Sequence, residues 1–135
     1  MSSNFASIQI ERSILVLDFL GIRKNISLNT NYFSIGRHPQ CSLVLDSKVV
    51  SRHHATIVWV KDKNSRRNEG YYWLVDGDGR GRRSRNGVYV NGKKISSHRL
   101  VCGDVISIDS DSELIYNTIS NTTENVQLPE VVFYL

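Results

Sequence analysis

With 135 residues, 40% hydrophobic and 22% charged, the chain has the size of one domain and too much apolar material for wholesale disorder. Its opening, Met1-Ser2-Ser3-Asn4-Phe5-Ala6, lacks the basic start and apolar run of a secretory signal, and no stretch is long enough to span a bilayer, so a soluble cytoplasmic protein is expected. The net charge of +4 is unevenly spread: residues 61–85 hold 8 basic against 4 acidic side chains, and from Leu100 onward there are 6 acidic residues and no Lys or Arg, which gives the basic stretch a field suited to an anionic partner.

Helix lacks support, because no window sustains apolar spacing of three and four, whereas short apolar runs bounded by Gly, Asn, Asp and Ser recur. Residues 7–20 alternate in two pieces, Ile8/Ile10 and then Ile14-Leu15-Val16-Leu17-Asp18-Phe19, and predict an opening strand or a bulged pair. Further strands are predicted at 24–28, 32–35, 43–45, 55–60, 71–75, 88–90, 94–95, 105–108 and 113–116. So many short strands imply an all-β fold of two packed sheets. Residues 61–70 contain no apolar side chain before Gly70 and form a hairpin tip in water, and residues 77–85 make a second glycine-rich, basic loop. Asn91-Gly92 supplies the positive backbone angles of a two-residue hairpin. Residues 117–127, rich in Asn, Thr and Ser, are expected to be a weakly ordered connector. The apolar Val131-Val132-Phe133-Tyr134-Leu135 either docks on its own domain or binds a partner. Three parts result: an N-terminal extension or strand over 1–13, a domain over 14–116, and the connector with its apolar end over 117–135.

Several residues invite chemistry and are read more plainly. Cys41 and Cys102 lack the spacing of a zinc or redox motif and are taken as small buried hydrophobes. Asp46, Asp76 and Asp78 match no calcium loop and are assigned to turns and caps. If Ala55 begins a strand, His53 and His54 point to opposite faces and make no metal pair; neither a metal nor a cofactor is expected. Trp59 and Trp73 are assigned to the core, Asp104 to a turn, and His38 and His98 to the surface. Ser51 lies three residues before His54, but no nucleophile elbow or suitably placed acid accompanies them, so catalysis is not expected.

The chemistry concentrates in Gly36-Arg37, Ser51-Arg52-His53-His54 and Ser84-Arg85-Asn86-Gly87, with Val90-Asn91-Gly92 following. A guanidinium offers a planar fork to paired anion oxygens, a Ser hydroxyl adds a donor, and an Asn amide can hold a peptide backbone. That set suits a loop-built receptor for a phosphorylated peptide. Taken with Phe33-Ser34-Ile35, Leu43-Val44-Leu45, Val50, Ala55, Asp76, Val88-Tyr89 and Leu100-Val101-Cys102-Gly103-Asp104-Val105-Ile106, the series resembles the forkhead-associated (FHA) domain over roughly residues 14–116.

The resemblance implies a β-sandwich of about eleven strands whose loops at one end bind phosphothreonine peptides. By it, Arg37 contacts the phosphate, Ser51 donates its hydroxyl, Arg52 adds a phosphate or backbone donor, and Asn86 holds the ligand backbone. Arg85 stands where many members have Thr or Ser, and either adds a phosphate contact or narrows the site. His54 is implied to be structural, holding the loop that presents Ser51. Gly36, Gly87, Asn91 and Gly92 shape the site. The implied partner is a phosphothreonine protein, a substrate of a Ser/Thr kinase, and Val49 stands where the family helps to read the third residue after the phosphothreonine. The competing reading is a nucleic-acid binder using Arg66-Arg67 and the run from Arg80 to Arg85.

Overall fold

The computed structural model describes residues 5–65 and 69–127, with the backbone alone for 5–10 and 121–127. The described residues form eleven strands and no helix: β1 Phe5–Phe19, β2 Ile22–Leu28, β3 Tyr32–Gly36, β4 Leu43–Val44, β5 Ala55–Lys61, β6 Gly70–Asp76, β7 Val88–Val90, β8 Lys93–Ile95, β9 Ser97–Arg99, β10 Val105–Asp109 and β11 Ser112–Gln127. They build two sheets, one ordered β2-β1-β11-β10-β7-β8 and the other β4-β3-β5-β6-β9. All pairings are antiparallel except β3 with β4.

Alternation along each strand explains the packing. Leu15 and Leu17 of β1, Ile106 and Ile108 of β10, Leu114 and Tyr116 of β11, and Val88 and Val90 of β7 point inward from one sheet. They meet Phe33 and Ile35 of β3, Ala55 and Ile57 of β5, and Tyr72 and Leu74 of β6. Twelve of these fourteen side chains are apolar aliphatics or Phe, and full burial of a Val, Leu, Ile or Phe contributes roughly 1.5–3 kcal/mol. Tyr72 keeps its hydroxyl satisfied by donating to the carbonyl of Leu28 or Thr30, at 3.3 and 3.2 Å.

Several expectations change. Residues 117–127 are strand, since β11 continues beyond Tyr116 in register with β1, pairing Asn117 with Ile14 and Gln127 with Phe5 across one irregularity. Thr and Asn along this stretch satisfy the ladder through their backbones, so polar composition does not end the strand. Strand β9 was not expected; Ser97-His98-Arg99 has no apolar residue, yet it pairs with Trp73, Leu74 and Val75 of β6. Trp59 packs partly buried against the core, whereas Trp73 lies half-buried on the opposite face of β6 from Tyr72 and Leu74, its ring edge-on to Tyr71 at 6.2 Å. Cys41 is buried but Cys102 is exposed, and both are free thiols. His98 is not an ordinary surface residue: its Nε2 lies 2.9 Å from Oδ2 of the buried Asp104. The apolar end at Val131 to Leu135, and Arg66 and Arg67, fall outside the described residues. Among the described residues no helix is long and apolar enough to cross a membrane.

Candidate functional site

Three connections meet at one end of the sandwich: the β3–β4 loop, the β4–β5 loop and the β6–β7 loop. Their contact begins at Gly36. A Cβ there would lie 2.1 Å from the Arg52 carbonyl oxygen, so only glycine lets β3 run this close to the second loop. The closeness permits a short backbone ladder, Arg37 N–H to Ser51 C=O at 3.0 Å and His38 N–H to Arg52 C=O at 3.1 Å. The Arg37 side chain then folds onto the same loop, its Nε–H donating to the Val50 carbonyl at 3.1 Å.

His54, fully buried, joins the second loop to the third. Its Nδ1 accepts the Ser51 N–H at 2.9 Å, so the ring proton sits on Nε2, which donates to the Gly87 carbonyl at 2.8 Å. Both nitrogens are thereby engaged, and neither is offered to the Ser51 hydroxyl as a general base. Ser51 Oγ instead accepts the Arg85 N–H at 2.9 Å, which leaves its own proton free to be given to an anion. Beside it, Asn86 Nδ2 donates to the Val49 carbonyl at 2.8 Å. The Asn86 side-chain oxygen remains an acceptor for another group.

The third loop is shaped by two aspartates. Buried Asp76 accepts both the N–H and the hydroxyl of Ser84 through Oδ1, at 3.0 and 2.5 Å, and Ser84 Oγ in turn accepts the Gly87 N–H. Asp78 Oδ1 accepts the N–H groups of Arg80 and Arg82 at 2.8 and 3.1 Å, and the Asp78 N–H closes back on the Arg82 carbonyl at 3.0 Å. The Arg80 amide, chiefly, holds the Asp78 carboxyl below its ordinary value. Asp76 and Asp78 thus take the turn and cap roles read from their spacing.

Two clefts open among these loops, one of them lined by Arg85 and the other by its neighbour Asn86. The first, of about 460 Å³, is lined by Ser51, Arg52 and Arg85 together with His38, His53, Arg82 and Arg83. The imidazoles of His38 and His53 stack with centroids 5.1 Å apart. The second, of about 510 Å³, is lined by Val49, Asn86, Tyr89, Ser107, Ile108, Asp109 and Ser110. Among the described residues Arg23 pairs with Asp18 and the His98 ring meets Asp104, and no carboxylate forms an ion pair with Arg37 or the four arginines of the first cleft; Asp78 acts on Arg82 only through space. Among the described residues no group of three His, Cys, Asp or Glu could hold a metal ion.

Of the residues singled out from the sequence, Arg37, Ser51, Arg52, Arg85 and Asn86 are brought to one rim, with Gly36, His54 and Gly87 beneath them. Asn91 and Gly92 are not. They form the β7–β8 turn, with φ of 51° and 82°, at the other end of β7. There Asn91 donates to Asp104 Oδ1 and accepts the Val105 N–H, both at 2.9 Å. Arg82, Arg83, His38 and His53 line the same cleft as Ser51, Arg52 and Arg85 and were not grouped with them from the sequence. The arginines were visible as a glycine-rich basic run, but their aim depends on the Asp78 turn.

Comparisons with known proteins agree with this architecture. A family model described as FHA domain matches residues 33–109. The uncharacterised protein sll1895 of Synechocystis is 41% identical over 105 residues, which is 78% of this chain and 15% of that protein, so the chain spans a small part of this relative. The crystal structure of the Slr1951 protein from Synechocystis is similar at 30% identity and a TM-score of 0.68, covering 78% of this chain and 96% of that one. Mycobacterium tuberculosis EmbR, solved in complex with a low-affinity phosphopeptide, is similar at 32% identity and a TM-score of 0.60, covering 77% of this chain and 24% of that one.

Proposed function

The chain belongs to the FHA domain family, and from that premise we propose that it recognises phosphothreonine in a partner protein, in signalling downstream of a Ser/Thr kinase, and releases it unchanged. The carrying observation is the Ser51 hydroxyl, fixed by the Arg85 N–H with its proton free, on the loop that the Arg37 side chain also grips. Arg37, Ser51, Arg52 and Arg85 hold the phosphate by charge-assisted hydrogen bonds, worth about 1.5–3 kcal/mol each. Asn86 holds the ligand backbone. EmbR, a relative solved with a phosphopeptide, supports the ligand class.

A small apolar contact for the threonine methyl would favour phosphothreonine over phosphoserine by about 1 kcal/mol. Beyond Asn86 the peptide reaches the cleft of Val49, which is 52% exposed, with Tyr89 and Ile108. An apolar or neutral residue fits there at the third position after the phosphothreonine. An acidic one is disfavoured, since Asp109 lines the same cleft. The two free cysteines suit a reducing compartment, and the cytoplasm is the location inferred.

Nucleic acid is the weaker reading. Lys61 and Gly70, which flank Arg66 and Arg67, lie at the far ends of β5 and β6 from the loop of Arg80 to Arg85. Seven-residue strands put Lys61 roughly 20 Å from that loop, so Lys61 and the arginines of residues 80–85 make no continuous track for a phosphate backbone.

Calorimetry with a phosphothreonine peptide, and with its phosphoserine and unmodified forms, tests the proposal. Binding should follow that order, no inorganic phosphate should be released, and Arg37→Ala or Ser51→Ala should abolish binding with the fold intact by circular dichroism. Unchanged affinity in either variant overturns the assignment.

A further inference from the structure

Resting on the phosphothreonine reading, we infer that the preferred ligand carries a second anionic group close to the phosphothreonine, seated by Arg82 and Arg83. One phosphate dianion is already supplied by Arg37, the Ser51 hydroxyl, and the neighbouring Arg52 and Arg85. The same cleft nevertheless holds two more guanidiniums and two imidazoles. None of the side chains of Arg52, Arg82, Arg83 and Arg85 makes a hydrogen bond or ion pair with another described residue.

This crowding is built by the backbone. The Arg82 N–H and C=O are both tied to Asp78, whose carboxylate hydrogen-bonds amides of the loop and acts on the Arg82 guanidinium only through space, without an ion pair. Like charges gathered this way repel one another in the free protein, and an incoming anion relieves the repulsion. The opposite cleft carries Asp109 and would repel an anion. The second group must therefore lie on one flank of the phosphothreonine only. Its chemistry is that of a phosphate or a cluster of acidic side chains.

The test titrates the full chain with synthetic phosphothreonine peptides that bear a second phosphorylated residue, moved position by position along either flank. A matching set replaces the second phosphate by glutamate. On one flank the second phosphate should tighten binding roughly ten-fold, and on the other it should not. A glutamate set that shares the gain identifies the second group as carboxylate; a set that lacks it identifies phosphate. In the double variant Arg82→Ala/Arg83→Ala the ratio of affinities for two-phosphate and one-phosphate peptides should fall to about one, whatever the separate affinities become.

A ratio near one in the unaltered protein, a ratio that survives the double variant, or a gain equal on both flanks overturns the inference. So does duplex DNA binding as tightly as the two-phosphate peptide, which would mark a general polyanion surface. Failure of every phosphothreonine peptide to bind would remove the recognition reading as well, whereas equal binding of one- and two-phosphate peptides removes only this one.

Discussion

A single neutral imidazole decides whether the Ser51 loop and the Gly87 loop stay together. His54 accepts from one and donates to the other with its own ring shielded from water. His54→Phe substitutes a somewhat larger apolar ring and leaves the Ser51 N–H and the Gly87 carbonyl unpaired, at about 1–3 kcal/mol for each group. The expected result is a lowered urea midpoint together with weaker phosphopeptide binding; a variant as stable as the parent would contradict the clamp. Asp104 plays the matching part at the other end. Burial raises its carboxyl pKa, but hydrogen bonds from the Val101 N–H, His98 and Asn91 prevail and hold it below 3.8. A depressed folded value means that the carboxylate's stabilisation is complete above the unfolded value and is lost as pH falls through the folded one. Asp104→Asn should therefore be less stable than the parent near neutral pH by about 1–3 kcal/mol, with the gap closing as the pH drops below about 4. Denaturant midpoints across that range check it. The hold of His54 on the Ser51 loop was legible through the resemblance of Ser51-Arg52-His53-His54 to the family motif, whereas its bond to Gly87, 33 residues further on, was not. His98 was not, because its partner comes from the far side of a turn and Ser97-His98-Arg99 has no apolar residue to suggest a strand.

Strand elements were legible wherever one face is buried and the other more open, as in β6 and β10, whose alternation follows from packing on a single core. The signal fails where burial stops. β9 lies at a sheet edge and is held by backbone pairing to β6, and β11 outruns the core yet keeps β1 as its partner. Both run in backbone ladders, which composition does not encode. At the site the informative element is the close crossing of β3 and the β4–β5 loop. Gly36→Ala would drive a methyl against the Arg52 carbonyl, which backbone cannot avoid by a rotamer change. The expected cost is about 1–3 kcal/mol, with the ladder from Arg37 and His38 opened and phosphopeptide affinity falling further than stability alone would require. Hydrogen exchange at the Arg37 and His38 amides reads the opening directly. Exchange as slow as in the parent would show that the crossing tolerates the methyl.

At the scale of the molecule, sequence separation and spatial separation of charge part company. The basic run of the β6–β7 loop and the acidic stretch of β10 and β11 are distant in the chain, yet the antiparallel pairing of β10 with β7 brings Asp109 to the same end as Arg85 and Asn86. The proposed binding face therefore has a positive side, which includes Arg85, and a negative side, where Asn86 and Asp109 line one cleft. A phosphopeptide approaching this face is drawn to the arginine side before any contact forms, and that acts on the rate of encounter more than on the lifetime of the complex. Arg80 isolates the effect, since it is exposed on the same loop but lines neither cleft. Arg80→Glu should slow association with a phosphothreonine peptide by about two- to three-fold at low ionic strength, with dissociation nearly unchanged, and the difference should fade as salt shortens the screening length below roughly 8 Å. Stopped-flow fluorescence over a salt series separates the two rates. A change confined to dissociation would mean that Arg80 touches the ligand, and the steering argument would then fail for this loop.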